Sequence, residues 1–271
     1  MARISVIMGI YNCASTLVEA LDSLYKQTYQ DFKIILCEDG STDNTYQVAA
    51  DYAAAHDNIV LLRNEQNMGL NYTLNRCLEV ADTEYIARMD GDDISLPTRF
   101  EKEINFLDEH PEFAIVSTPM IFFDEQGEFG RGAAGGESTK RSLIYGTAFC
   151  HAPCMVRTEA YRAVGGYTVD SKLLRYEDYN LWMKMFASGF RGYMLSECLY
   201  AMRDDRTATH RRKLRSRING IYAHYLAHKV LHLPWRKFVV FSCANIAKGL
   251  MPSVIYEYFH RRKLNKRKLK K

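Results

Sequence analysis

The sequence contains no CxxC pair, and its seven cysteines are an odd number scattered over 271 residues. A disulfide framework or a structural zinc site needs paired thiols at short spacing, so neither is expected and a reducing compartment is. Cys150-His151-Ala152-Pro153-Cys154 places two soft ligands four apart, but no second pair accompanies them. The chain enters an apolar strand directly after Arg3 without a signal peptide's cleavage region, so this end carries no export signal. An uninterrupted apolar run of about 20 residues, the requirement for crossing a bilayer, is also missing. The longest candidate, 238–256, is interrupted by Lys248 and Pro252. No recognition-domain signature for nucleic acid is present, and no nucleic-acid partner is expected.

What the chain does have is apolar content of 47%, enough for one sizeable core, and an uneven charge. Residues 1–200 hold 17 Lys+Arg against 29 Asp+Glu, a balance of −12, whereas 201–271 hold 19 against 3, a balance of +16. The two parts therefore face different partners. An acidic first part repels a phosphate backbone, which again argues against nucleic acid.

Short aliphatic runs alternate with helical stretches along the first ninety residues. Ile4 to Ile10 reads as a buried strand, followed by Thr16-Leu17-Val18-Glu19, a capping-box pattern opening a helix to about Gln27. Phe32 to Cys37 and Ile59 to Leu62 read as further strands, each followed by a helix, and Tyr85 to Met89 as a fourth. Such alternation predicts a mostly parallel sheet with helices on both faces and right-handed crossovers. In these sheets ligands bind in the crevice at the strands' carboxyl ends. Tyr11, Asp39 and Asp90-Gly91-Asp92-Asp93 each follow a predicted strand, so the topology gathers them at one edge.

Three carboxylates within four residues repel one another unless a cation sits among them, and a divalent ion with oxygen ligands would also hold a diphosphate. An acidic turn leading into the helix predicted from Pro97 to His110 has the same composition, so the motif alone leaves both readings open. Five glycines between Gly127 and Gly136 suit either a mobile loop over the site or a long hairpin connection. Further on, Tyr176-Glu177-Asp178 places two acids at a helix start, where capping by the helix dipole is the alternative to chemistry. Residues 217–233 read as a helix, and the last eleven residues, 261–271, contain eight Lys+Arg. With the Trp235-Arg236-Lys237 edge, this end predicts an interfacial helix or helical hairpin on an anionic membrane surface, with a plain helical cap and solubilising tail as the alternative.

Five stretches in register resemble one family: Ser5-Val6-Ile7-Met8-Gly9-Ile10-Tyr11-Asn12, Glu38-Asp39-Gly40-Ser41-Thr42-Asp43, Asn67-Met68-Gly69-Leu70, Arg88-Met89-Asp90-Gly91-Asp92-Asp93 and Tyr176-Glu177-Asp178. Over roughly residues 3 to 205 the chain is similar to the family 2 glycosyltransferases, the bacterial surface-glycan group. The resemblance implies the α/β GT-A (Rossmann-like) fold, a mostly parallel central sheet flanked by helices, here with a C-terminal helical, basic extension. Residues 1–205 would form the catalytic domain, with a nucleotide-sugar half over 1–95 and an acceptor half over 96–205, and 206–271 the extension.

The same resemblance implies roles. Tyr11 would lie against the base and Asp39 would accept from its imide nitrogen, favouring uracil or thymine. Asp90 would hold the ribose, and Asp92 or Asp93 would contact Mn²⁺ or Mg²⁺ bridging the phosphates. Asp178 would be the general base, with Glu177 beside it, while Arg203 and His210 would approach the diphosphate and metal. One departure stands out: many relatives carry arginine immediately before the residue matching Asn75, and this chain has Leu74, leaving Arg76 or Arg88 as the substitute. The Gln-x-x-Arg-Trp motif of processive synthases is missing.

The expected activity is metal-dependent, inverting transfer of one sugar from a UDP-sugar to a hydroxyl of a lipid-linked glycan precursor. The acceptor is expected to be a polyprenyl-diphosphate glycan, and the enzyme to be cytoplasmic and peripheral on the inner face of the plasma membrane. Two alternatives share the fold. A sugar-nucleotidyltransferase needs a Gly-rich, basic loop where this chain has Tyr11-Asn12-Cys13. An inactive glycan-binding protein would show no turnover.

Overall fold

A computed structural model of the chain describes residues 2–132, 135–204 and 214–250. In its first part β1 (Ile4–Ile10), β2 (Phe32–Asp39), β3 (Ile59–Asn64) and β4 (Tyr85–Arg88) alternate with α1 (Leu17–Tyr25), α2 (Thr45–Ala54) and α3 (Leu70–Val80). The alternation of side chains along a strand explains why the runs are apolar throughout. Val6, Met8 and Ile10 enter one core and Ile7 the other; Ile34 and Leu36 join the first, Ile35 and Cys37 the second. Helices cover both faces over β1 and β2, whereas β3 at the sheet's edge is partly open, with Val60 40% exposed and the Arg63 side chain 56% exposed.

The second part adds β5 (Ile94–Ser95), α4 (Arg99–Glu109), β6 (Ile115–Ser117), β7 (Met120–Asp124), β8 (Gly127–Arg131), β9 (Gly136–Ser138), β10 (Met155–Arg157), α5 (Thr158–Ala163), α6 (Glu177–Ala187), β11 (Gly192–Met194) and β12 (Tyr200–Arg203). The main sheet has eight strands in the order β3-β2-β1-β4-β10-β6-β11-β9, with β10 and β9 opposing the other six. A smaller sheet, β5-β12-β7-β8, stands beside it. The expected mostly parallel α/β architecture is the observed one.

Helices α1 and α4 close the first core with Leu17, Leu21, Leu24, Phe100, Ile104 and Leu107, all fully buried at three- and four-residue spacing. Truncating one of these, Phe100 for example, would cost about 3–5 kcal/mol. Leu74, Cys77, Leu181, Trp182 and Met185 fill the second core from α3 and α6. Two further helices, α7 (Leu214–Val230) and α8 (Trp235–Leu250), form a helical hairpin, and Ala223 and Ala227 of α7 pack into the second core. Among the described residues no helix is long and apolar enough to cross a membrane.

Three local expectations change. The glycine-rich stretch is largely sheet: Gly127 to Arg131 pair with β7 as a hairpin, and Gly136 to Ser138 pair with β11. The backbone supplies those hydrogen bonds without side chains, and Gly127 takes the left-handed φ of 101° that the turn requires. The capping box at Thr16 does not form. The Thr16 hydroxyl instead faces the carbonyls of Cys13 and Gly91, at 3.2 and 3.0 Å. Glu19 reaches away to Arg203. The run Ala114 to Phe123 is two strands in different sheets, split at Thr118-Pro119, since proline cannot donate to a ladder.

Candidate active site

The carboxyl ends of β1 and β4 open into a cleft of about 570 Å³ lined by Tyr11, Asn12, Asp90, Asp92, Arg175 and Arg203 among others. Its first wall is the loop after β1, which the loop after β2 holds in shape. Asn12 adopts a left-handed φ of 49°. Its amide donates to the Ser41 hydroxyl at 3.0 Å, and its side-chain oxygen accepts from the Thr42 amide at 2.9 Å. The Cys13 amide donates to the Thr45 hydroxyl at 2.8 Å and the Ala14 amide to Asp43 at 3.2 Å. The outcome is Tyr11 with 44% of its surface free at the mouth.

Asp39 sits deeper than the sequence suggests. Its Oδ1 accepts from Asn64 at 2.7 Å and from the Met68 amide at 2.8 Å, and its Oδ2 accepts from the Gly69 amide at 2.9 Å. It is 4% exposed, does not line the main cleft, and fastens the Asn67-Met68-Gly69 turn beside it. Gly40 passes so close to that turn that a Cβ would lie 2.5 Å from a Gln66 backbone carbon, at a φ of +65°. Glycine is the residue that both the contact and the conformation allow.

The three acids after β4 have three different surroundings. Asp90 is gripped by both guanidinium ends of buried Arg88, one at 2.8 Å. Asp93 is 2% exposed and already occupied: Oδ2 accepts from the Tyr200 hydroxyl at 2.9 Å and Oδ1 from the Arg203 amide at 2.8 Å. Burial first, then the Asp90 and Asp92 charges, push its pKa well above the usual carboxylate range. Asp92 is the most exposed of the three and lines the cleft with Asp90; loss of solvent and then the Asp90 charge raise its pKa. Arg203 stands beside it, its Nε donating to the Asp92 carbonyl at 3.0 Å and its Nη2 to Glu19 at 2.6 Å.

A second cavity of about 390 Å³ contains Asp178 together with Thr147, Tyr176 and Tyr179, and its other wall belongs to α7 and α8. The two cavities meet at Arg175, which lines both. Asp178 lies in the first turn of α6; its Oδ2 accepts from the Thr147 hydroxyl at 2.9 Å, and burial raises its pKa against that bond and the nearby Arg88 charge. Glu177 is turned back on the chain, its Oε1 accepting from the Arg175 amide at 2.7 Å, which holds Arg175 in its left-handed conformation (φ 69°). Arg88 thus lies between the two sites, close enough to act on Asp90, Asp92, Glu177 and Asp178 alike.

On the Leu74 departure, the side chain is fully buried. Arg76 is spent on the Arg63 carbonyl and the Asn64 side chain, at 2.6 and 2.7 Å. Of the two substitutes, Arg88 is the one at the cleft, through Asp90. Candidate His210 and the basic stretches 211–213 and 261–271 lie outside the described residues.

Among the described residues no three His, Cys, Asp or Glu side chains converge as a metal cage. Asp90 and Asp92 do bring hard oxygen donors to one cleft. One or two carboxylates completed by substrate phosphates is the donor set suited to Mg²⁺ or Mn²⁺, so the residues fit an ion that arrives with a diphosphate. Sequence reasoning passed over Arg175 and Thr147. Arg175 stands beside the Glu177-Asp178 pair, which is a signal in hindsight; Thr147 carries none, because only the fold sets it against α6.

The model of glycosyl transferase family 2 matches residues 5–165. EpsE of Bacillus subtilis (strain 168) is 39% identical over 267 residues, covering 98% of this chain and 96% of EpsE. The UDP-Gal:alpha-D-GlcNAc-diphosphoundecaprenol beta-1,3-galactosyltransferase of Escherichia coli is 29% identical over 96% of each chain. Among solved structures, S. aureus TarS 1-349 in complex with UDP-GlcNAc superposes with a TM-score of 0.68 at 21% identity, over 91% of this chain and 72% of that one. The mannosyltransferase PcManGT from Pyrobaculum calidifontis, in complex with GDP-Man and Mn²⁺, gives a TM-score of 0.65 at 18% identity, over 98% of this chain and 83% of that one. At these identities the two structures speak for the GT-A fold.

Proposed function

Since the chain belongs to glycosyl transferase family 2 and is a glycosyltransferase, we propose that it moves one sugar from a UDP-sugar to a hydroxyl of a lipid-diphosphate-linked glycan precursor, with inversion at the anomeric carbon. The observation that carries this reading is the pair of cavities joined at Arg175, one lined by Tyr11, Asp90, Asp92 and Arg203 and the other holding Asp178. The E. coli galactosyltransferase, similar over its whole length, is named for a UDP-sugar donor and a diphosphoundecaprenol acceptor.

In this reading the uracil lies against Tyr11, and Asp39 accepts its imide N–H through Oδ2, which takes one bond from the Gly69 amide. Asp90, oriented by Arg88, holds the ribose. Asp92 faces the diphosphate and would hold the divalent ion with Asp90; Asp93 is left as the strut that ties Tyr200 and Arg203 to the site. A Mn²⁺ or Mg²⁺ bound there supplies positive charge against the leaving diphosphate. Arg203 adds a fixed cation on the same side. Asp178 takes the proton from the acceptor hydroxyl as that oxygen attacks, and burial has made it a stronger base than a solvated aspartate. A single base and direct attack invert the centre, without the paired carboxylates that a glycoside hydrolase sets across the bond. Glu177 acts at one remove, by shaping Arg175.

Slow hydrolysis of a panel of nucleotide sugars, with Mn²⁺, Mg²⁺ or EDTA, tests the donor and metal. A UDP-sugar should be turned over with metal and spared in EDTA, and metal-independent turnover of purine nucleotide sugars would contradict the reading. For the membrane, Trp235, Val239, Val240 and Ile246 of α8 are 49 to 66% exposed, beside Arg236 and Lys237. An exposed apolar face with cationic neighbours suits attachment to anionic lipid at the inner face of the plasma membrane. Co-sedimentation with vesicles containing phosphatidylglycerol, but not with phosphatidylcholine alone, is the expected result; a full-length chain that stays in the supernatant with both rules out that attachment.

A further inference from the structure

The cavity around Asp178 has a wall that no part of the donor site explains. Ser216, Arg217 and His224 come from α7, and Phe241 and Asn245 from α8. The spacing is helical on both sides: Arg217 and His224 are seven apart, and Lys237, Phe241 and Asn245 are four apart, so each set shares one helix face. Lys237 stands 5.9 Å from the ring of Tyr145, a residue 77% exposed and next to Gly146 at the cavity rim. The hairpin therefore covers the base with a built polar surface.

That surface is rich in donors. Arg217 donates from Nη1 to the Asn245 side-chain oxygen at 3.2 Å, which orients the asparagine. Among the described residues the Asn245 Nδ2, in a residue 5% exposed, has no hydrogen-bond partner, and neither has Nδ1 of His224, 1% exposed. His224 is stacked between Tyr179 and Phe241, and burial, with His228 adding to it, pushes its pKa down to about 3, so it is neutral. Buried polar nitrogens without partners are costly unless something else satisfies them. Arg175 brings a second guanidinium from the opposite wall. Among the described residues that line the cavity, the charged side chains are Arg175, Arg217 and Asp178. A pair of guanidiniums with a buried amide N–H matches the oxygens of a phosphate better than the hydroxyls of a neutral sugar.

We propose that this cavity is the acceptor pocket, and that Arg217 and Asn245 of the C-terminal hairpin, with Arg175, bind a phosphate group of the acceptor. In that arrangement the hydroxyl to be glycosylated falls to Asp178. The proposal rests on Asp178 as the base. The hairpin then belongs to the active site and selects acceptors that carry phosphate over neutral glycans. The shared chemistry is a phosphate or diphosphate; its source is a lipid carrier or a free phosphorylated sugar.

Calorimetric titration of the full chain, saturated with UDP and equimolar Mn²⁺ so that the donor cleft is filled, tests this. The probes are citronellyl diphosphate, inorganic pyrophosphate and citronellol. Either diphosphate should bind at least tenfold more tightly than citronellol. Arg217→Ala and Asn245→Asp should each weaken that binding tenfold or more, Arg217→Lys by a few-fold, and the affinity for UDP·Mn²⁺, which reports the fold of each variant, should stay within twofold. Preference for citronellyl diphosphate over pyrophosphate assigns the phosphate to a lipid carrier, and equal binding to a free one. Diphosphates that bind no better than citronellol, or that bind Arg217→Ala and Asn245→Asp as tightly as the parent, overturn the proposal. Failure of UDP·Mn²⁺ to bind the parent would instead strike the donor reading, and the same titration on the unliganded chain would still read the pocket.

Discussion

The two cavities are built by opposite means. In the cleft proposed for the donor, the lining residues sit at the ends of parallel strands, so that backbone topology delivers Tyr11 and Asp90 to one edge from stretches 79 residues apart. In the cavity proposed for the acceptor, nothing comparable organises the lining: Thr147, Asp178, Arg217 and Asn245 come from a loop, a helix start and two helices of the C-terminal hairpin. A nucleotide diphosphate is the same for many enzymes and can be read by a fixed sheet edge. An acceptor differs from one enzyme to the next, and a wall of side chains on packed helices can change without disturbing the sheet.

That contrast can be broken most sharply at Asp178. Asp178→Asn should lower turnover by about 10³-fold, since one general base contributes roughly 10²–10⁴, while UDP·Mn²⁺ affinity measured by calorimetry stays as it was. In the parent, the rate should fall as pH drops through a midpoint higher than that of a solvated aspartate, because burial raises the Asp178 pKa and the protonated acid cannot accept a proton. The same raised pKa has the opposite sign for stability. The folded chain holds that proton more tightly than the unfolded chain, so its contribution favours folding at low pH and is lost as pH rises through the folded value.

Gly40→Ala tests the donor side as a backbone device. A Cβ 2.5 Å from the Gln66 backbone at a φ of +65° should destabilise by about 1–3 kcal/mol, read as a fall in Tm, and loosen UDP binding through the turn that Asp39 fastens. A neighbouring pair separates ligand contact from scaffolding. Asp92→Asn should weaken metal-dependent UDP binding by about tenfold or more, roughly 1.4 kcal/mol, at unchanged Tm. Asp93→Asn should lower Tm, by about 1–3 kcal/mol of stability, because it disturbs the bonds from Tyr200 and the Arg203 amide. The smallest effect belongs to Glu19→Gln, whose bond to Arg203 is solvent-exposed on the glutamate side; below about 1 kcal/mol is expected, with a slight loss of diphosphate affinity as Arg203 loosens.

How far the sequence could be read follows the same division. The four parallel strands and their helices were legible because β1, β2 and β4 are buried on both faces, which leaves aliphatic runs with clear limits, and the edge strand β3 keeps a short one, Ile59 to Leu62. The acidic run after β4 was legible as a candidate site but not in its parts: that Asp93 is buried and bonded while Asp92 is exposed depends on Tyr200 and Arg203, over a hundred residues away. Asp39 was found by its place after β2, yet its bonds to Met68 and Gly69 arise from the turn that folds over it. The glycine-rich stretch misled, because composition reports freedom while ladder pairing is decided by the neighbouring strand. The Asp178 cavity was half visible, in the Glu177-Asp178 pair; its hairpin wall was hidden in a segment whose charge pointed towards membranes.

The central claim is that the cleft between β1 and β4 holds the metal-bound diphosphate while Asp178 serves the neighbouring cavity. Anomalous scattering from Mn²⁺ in crystals grown with UDP tests it most directly. The predicted result is one manganese peak at ligand distance from the Asp92 carboxylate, with the uracil beside Tyr11. A peak in the Asp178 cavity, or UDP ordered away from Tyr11 with Asp92 uncoordinated, would contradict it.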